Sequence, residues 1–155
     1  MRPGATGLTF FQDMARSSLV ARGQHVRAIG WLHPAHPYTR GSVPTEFLAR
    51  LKEFIRRPGL SGDDFYFPGI GGLHTCEFCG NAHGGGNLGL PCDDLLFVFP
   101  DMIVHYIEAH DYKPPDQFIA ALMRSPLRDT EEFALLSEPF WHLHRAQQRG
   151  HAERD

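Results

Sequence analysis

Two cysteines and two histidines in this chain have the residue types and the spacing of metal ligands. Cys76 and Cys79 form a C-x2-C pair, and His105 and His110 form an H-x4-H pair later in the chain. Two thiolates and two imidazoles are a common tetrahedral ligand set for zinc. The pattern therefore predicts a Zn²⁺ site with these four side chains as its ligands.

The segments around these residues are predicted to follow the order of a ββα zinc unit. The cysteines lie in a turn, and the apolar segments 87–90 and 95–99 are expected to pair as a hairpin. A helix is expected over 101–110, and Pro114 and Pro115 cannot continue it. This order would bring the two histidines of the helix back to the thiolates of the turn.

The five-residue spacing of the histidines creates a geometric difficulty. Residues i and i+5 lie about 140° apart on a regular α-helix, so both can bind one ion only if the last turn loosens. His74 is an alternative fourth ligand, because it alternates with Cys76 in an extended segment. Cys92, at the tip of the predicted hairpin, is the next candidate. The choice between His110 and His74 stays open.

The remaining segments predict an α+β fold, with a small antiparallel sheet and several helices around the ββα-like zinc unit. Segment 26–32 reads as a buried strand, and segment 44–57 carries a helical apolar stripe. Further helices are expected over 9–20, over 118–123 and over 130–150, the last bent at Pro139. Length favours one domain over 1–155, with a core at 26–124, the zinc unit at about 72–113 and a helical C-terminal segment at 125–155.

Composition narrows the classes of function. The chain has 155 residues, of which 42% are hydrophobic and 21% charged, as in globular proteins. A net charge of −3 and the lack of a basic stripe disfavour a nucleic-acid partner. No stretch approaches the roughly 20 apolar residues of a membrane span, and Gln12, Asp13 and Arg16 interrupt any signal-peptide core. Three cysteines with metal spacing favour a reducing compartment, so the cytoplasm is expected.

Familiar catalytic motifs are not matched around the histidines. Metalloprotease motifs place a glutamate directly after the first histidine or directly before the second, whereas Glu108 occupies neither position. His33 and His36 are separated by a proline-containing loop and could act as bases, although such residues more often cap turns. The catalytic residues are therefore unknown from the sequence.

Two segments resemble a family of small uncharacterised bacterial zinc-binding proteins. The first is GLHTCEFC at 72–79, which fits the pattern GxHxCxxC. The second is PDMIVHYIEAHDYKPP at 100–115, which fits PxxIxHYIxxHxYxPPxxF together with Phe118. The resemblance covers most of residues 26–124 and implies a metal site without a settled activity.

Three functions are compatible with these observations. The favoured one is a zinc-stabilised cytosolic protein that acts by binding or regulating an unknown protein or small-molecule partner. The alternative is a zinc-dependent hydrolytic enzyme with an open metal position and Glu108 as general base. A nucleic-acid-binding zinc finger is the weakest, because the helix carries apolar residues where base-reading side chains are needed.

Overall fold

The computed structural model describes residues 10–17, 23–57, 74–140 and 142–143. The strands in these ranges are β1 (Val26–Ala28), β2 (His74–Thr75), β3 (His83–Gly84), β4 (Asn87–Cys92) and β5 (Leu95–Pro100). The α-helices are α1 (Thr45–Arg56), α2 (Ile103–His110), α3 (Asp116–Arg124) and α4 (Glu131–Ser137), and a 3-10 turn follows at Glu138–Phe140. The fold is α+β, as the sequence predicted.

The main sheet has three strands in the order β1-β5-β4. β4 and β5 form the predicted antiparallel hairpin, with Leu88 opposite Phe99. β1 lies parallel to β5, with Val26 opposite Leu96, so the sheet is mixed and not purely antiparallel as expected. Parallel strands need a crossover connection, and here the long segment that contains α1 separates the two strands in sequence.

β5 is the central strand and is buried on both faces. Phe97 and Phe99 belong to one apolar cluster, whereas Leu96 and Val98 belong to another on the opposite side. Alternate residues of a strand point to opposite faces, so a strand covered on both sides reads as a continuous apolar run. This explains the run LLFVF in the sequence.

The larger core lies between the sheet and the helices. The ring of Phe118 on α3 contacts Phe47 of α1 and both Phe97 and Phe99 of β5. α1 also buries Leu51 and Phe54, which lie on the same face as Phe47, as the apolar stripe of segment 44–57 predicts. The helices predicted over 44–57 and 118–123 are confirmed, with observed ends at Arg56 and Arg124.

The second core covers the other face of the sheet. Trp31 is buried there and donates from Nε1 to the carbonyl of Val98 at 2.9 Å. The N-terminal segment runs beside β1, where the Met14 N–H donates to the Ala28 carbonyl at 2.7 Å and the Ala28 N–H donates to the Ala15 carbonyl at 2.8 Å. The prediction of a helix over 9–20 is wrong for residues 10–17, because their backbone groups pair with the edge strand instead.

The first part of the helix predicted over 130–150 is confirmed. α4 gives way to the 3-10 turn that contains Pro139, where the bend was expected. Residues 141 and 144–150 of the predicted helix lie outside the described residues. Among the helices that the structure describes, none has the length and apolar character needed to cross a membrane.

Candidate metal centre

A tight hairpin of β2 and β3 carries the two cysteines. The Cys76 N–H donates to the Ala82 carbonyl at 2.9 Å and so extends the pairing of β2 with β3 toward the turn. The Gly80 N–H then donates to the Cys76 carbonyl at 2.9 Å, and Gly80 has a φ of +70° that L-residues rarely adopt. We call residues 76–83 the knuckle. Its turn allows both sulfurs to face α2.

The core fixes the rotation of α2. This helix starts directly after β5 and buries Ile103, Tyr106 and Ile107 in the larger core. The half-buried His105 and His110 therefore lie at the side of the helix that approaches the knuckle.

The four predicted ligands come together. One donor atom from each of Cys76, Cys79, His105 and His110 lies within 4.8 Å of all the others. Cys76 Sγ is 3.5 Å from His110 Nε2, and Cys79 Sγ is 3.4 Å from His105 Nε2. Bond lengths of about 2.3 Å to sulfur and about 2.0–2.1 Å to nitrogen put tetrahedral neighbours about 3.5 Å apart. The cluster thus has dimensions that suit one tetrahedral metal ion.

The end of α2 closes with a wide turn directly after His110. The N–H groups of Asp111 and Tyr112 both donate to the Tyr106 carbonyl, the latter at 3.1 Å. The first of these bonds spans five residues, which is the π-helical and not the α-helical pattern. Asp111 then leaves the helix in the left-handed conformation with φ of 57°. Both histidines belong to the α-helical residues Ile103–His110, so no distortion is seen between them, and the wide bond is made by the residue that follows His110. The two imidazole rings lie 5.0 Å apart.

Electrostatics at the centre suit a metal ion. Burial raises the pKa of the Cys76 thiol, while the N–H groups of Cys79 and Phe78 donate to its sulfur and oppose that rise. Burial also lowers the pKa of His110, and the nearby His105 and Arg40 lower it further. A neutral imidazole can ligate, whereas an imidazolium cannot. A cation at this position would compensate the cost of a buried thiolate.

Aromatic side chains surround the centre on its inner side. The ring of Phe78 packs against His110 with centroids 5.0 Å apart, and it contacts Tyr106 and Tyr38. The Tyr38 hydroxyl donates to the His110 carbonyl at 2.8 Å. Tyr38 was not singled out from the sequence, because it lies 72 residues from His110 in an irregular segment without a periodic pattern.

The structure gives different information on His74 and Cys92, the two alternative ligands. The backbone of His74 forms β2, but its side chain lies outside the described part of the structure, so its role stays a prediction. Cys92 lies at the far end of β4, where Arg124 Nη2 contacts its Sγ at 2.9 Å. Cys92 is not one of the four clustered ligands.

Other histidines are engaged in local contacts. His36 stacks on Phe10 with ring centroids 3.8 Å apart, and His33 Nδ1 accepts the Ala35 N–H at 3.0 Å. His83 contacts the Thr75 hydroxyl at 2.9 Å across the small hairpin. In the described ranges, the cluster of Cys76, Cys79, His105 and His110 is the one group of three or more such side chains close enough to hold a metal ion.

Glu108 is directed toward α1. Its Oε2 lies 2.6 Å from Lys52 Nζ, and both side chains are about half exposed, at 47% and 51%. The carboxylate proposed as a general base in the hydrolytic alternative therefore pairs with a lysine of α1.

Comparisons with known proteins place the chain in a family without identifying an activity. No curated protein and no solved structure matches it. The family described as "Domain of unknown function (DUF7919)" matches residues 9–123, which include the four clustered side chains. Because the match spans well over half of the sequence, the chain belongs to this family.

Proposed function

We propose that this protein is a zinc-stabilised binding domain whose metal is structural. In this proposal Cys76, Cys79, His105 and His110 bind one Zn²⁺, which links the knuckle to α2. The observation that carries the proposal is the mutual approach of the four donor atoms to within 4.8 Å. Four protein ligands complete a tetrahedral shell and leave no position for a substrate or a reactive water.

Zinc is the proposed ion because of the donor types. Two thiolates and two imidazoles in tetrahedral arrangement favour Zn²⁺ over magnesium or calcium, which prefer oxygen ligands. Reduced cysteines suit a reducing compartment, so we propose a cytoplasmic location.

The biological role is proposed to be the binding or regulation of a protein or small-molecule partner. The pairing of Glu108 with Lys52 supports this role over hydrolysis, since it directs the carboxylate to α1. The surface of α2 supports a partner other than nucleic acid. Its exposed residues are Glu108 and Ala109, whereas DNA-reading helices present cationic and amide side chains.

Metal analysis and ligand counting test the structural role. Protein purified without added metal should contain about one zinc per chain, as a mononuclear four-ligand site requires. X-ray absorption should show two sulfur neighbours and the outer-shell scattering of two imidazole rings. A shell of three protein ligands and one water would instead favour the hydrolytic alternative, and a folded protein with reduced cysteines but without stoichiometric metal would refute the proposal.

A further inference from the structure

The two cysteines of the centre differ in their access to solvent. Cys76 is only 1% exposed, whereas Cys79 is exposed at the surface of the knuckle. Cys79 Sγ accepts the Asn81 N–H at 3.4 Å and contacts His105, but the protein does not cover it. A small molecule in solution can therefore reach one sulfur of the centre and not the other.

Metal binding would keep both sulfurs reactive. A thiol that coordinates zinc is deprotonated, and the thiolate is the nucleophilic form of cysteine. We propose that the centre is a site of reversible oxidation, in which a hydroperoxide oxidises Cys79, Cys76 completes a disulfide and the zinc leaves. This inference rests on the proposed function, since it requires the bound metal.

The proposed reaction balances with hydrogen peroxide as the oxidant. Cys79 Sγ attacks one peroxide oxygen and the O–O bond breaks, which leaves a sulfenic acid on Cys79 and a hydroxide that takes a proton from a buffer acid. Cys76 Sγ then attacks that sulfur, an S–S bond forms, and a second hydroxide leaves and is protonated. The two thiolates lose two electrons in total, the peroxide gains them, and two water molecules and free Zn²⁺ result.

The geometry of the knuckle favours this disulfide. The two sulfurs lie within 4.8 Å of each other, and both belong to one short turn. A disulfide needs about 2.0 Å between sulfurs, which rotation of the exposed Cys79 side chain can approach once the ion no longer separates them.

Cys92 provides a competitor for the same oxidant. It is a half-buried free thiol, and its sulfur lies 2.9 Å from Arg124 Nη2. Its other close polar neighbour, Asp93, belongs to the same hairpin tip. Zinc loss should depend on Cys76 and Cys79 and not on Cys92.

Oxidation is expected to open the knuckle and leave the rest of the fold in place. The metal links the knuckle to α2 through the pairs Cys76–His110 and Cys79–His105, whereas Ile103, Tyr106 and Ile107 hold α2 in the core independently. The expected product is a folded protein whose residues 76–83 are released from α2.

The test treats zinc-loaded full-length protein with hydrogen peroxide in the presence of a chromogenic zinc chelator. The expected result is loss of all bound zinc together with two of the three thiols, and mass spectrometry should find a Cys76–Cys79 disulfide. A dione that traps sulfenic acids should label Cys79 and not Cys76. A thiol reductant with added zinc should restore the original state, and hydrogen exchange should rise over 76–83 but not in the buried part of α2.

Two variants provide the controls. Cys92→Ser should release zinc as the natural chain does. Cys79→His supplies an imidazole in place of the exposed thiolate, so it should hold zinc and resist peroxide. If that variant fails to fold, the labelling of the natural chain still decides the question. Retention of zinc under peroxide, a disulfide to Cys92 or first labelling of Cys76 would each overturn the inference, whereas absence of zinc before treatment would refute the proposed function itself.

Discussion

At the scale of single residues, the centre depends on a small number of long-range contacts. Cys79 contacts His105, which is 26 residues away, and Cys76 contacts His110, which is 34 residues away. A metal ion at these contacts would cross-link the knuckle and α2 much as a disulfide would. In the chain-entropy model, a cross-link that closes a loop of this length stabilises the folded state by about 3.5 kcal/mol.

Substitution of either clustered cysteine should remove the metal and destabilise the fold. Cys76→Ser and Cys79→Ser are each expected to lower the free energy of unfolding by about 3 kcal/mol or more, because the cross-link is lost. Urea unfolding and metal analysis of the purified variants measure this. His33→Ala and Cys92→Ser serve as controls and should change the free energy by about 0.5–1 kcal/mol at most. Similar small effects from all four substitutions would mean that the metal is incidental.

Glu108 offers a test of the hydrolytic alternative at the same scale. Its partner Lys52 is half exposed, and such surface ion pairs contribute about 0–1 kcal/mol. Glu108→Gln should therefore keep the zinc and cost less than about 1 kcal/mol in urea unfolding, with a smaller cost in high salt. Loss of zinc, or of an identified hydrolytic activity, in this variant would place the carboxylate at the metal.

At the scale of elements, α2 is short and would not be stable alone. It has eight residues, whereas isolated helices shorter than about 12–15 residues are marginal in water. The core holds one side of it, and the C-terminal turn at Asp111 directly follows His110. Asp111 terminates this turn in the left-handed region, where only glycine is free of strain.

Two substitutions at Asp111 should therefore differ. Asp111→Gly should keep the metal and change stability little, because glycine adopts a positive φ readily. Asp111→Val should cost about 1–2 kcal/mol and weaken zinc binding, because a β-branched residue resists this conformation and the turn must rearrange. Competitive zinc titration and urea unfolding compare the pair. Equal zinc affinity in both variants would show that the helix end does not position His110.

At the scale of the whole molecule, the half-buried carboxylate of Asp13 joins the N-terminal segment to the residues that follow α2. Asp13 Oδ2 accepts a hydrogen bond from the hydroxyl of Tyr112 at 2.8 Å, although the two residues are 99 positions apart in the sequence. Asp13 Oδ1 accepts a hydrogen bond from the Gly30 N–H at 3.0 Å. Burial raises the pKa of Asp13 above 3.8, and these two hydrogen bonds oppose the rise. Burial also raises the pKa of Tyr112.

This carboxylate should give the stability a defined pH dependence. The pKa of Asp13 is higher in the folded state than in the unfolded state. The stabilisation that the Asp13 carboxyl provides is therefore complete below pH 3.8 and is lost as the pH rises through the folded pKa. Asp13→Asn cannot ionise, yet its amide can accept from Gly30 and donate to Tyr112. As the pH rises from 3.8 through the folded pKa of Asp13, the natural chain should therefore lose stability relative to Asp13→Asn.

Urea unfolding of both proteins over the acidic range measures the difference. Both contain the same cluster of Cys76, Cys79, His105 and His110, so protonation of these side chains contributes equally and cancels. A difference in stability that grows in favour of the natural chain as pH rises would contradict the expectation. Asp13→Ala should be the more damaging change, because it leaves two buried donors unpaired at about 1–3 kcal/mol each.

The local parts of this protein could be predicted from the sequence. The helix of α1, the β4–β5 hairpin, the turn at Cys76 to Cys79 and the helix that carries both histidines depend on short-range patterns. Periodicity, prolines and turn residues act over a few positions, so one sequence suffices to recognise them.

The tertiary structure decided what depends on contacts between distant segments. It paired Cys76 with His110 and Cys79 with His105, made one sulfur exposed and the other buried, and directed Glu108 to Lys52. It also placed residues 10–17 beside β1 instead of in a helix. These outcomes depend on packing around a common core, and a residue's own neighbours in sequence carry no information about which distant side chain will lie against it.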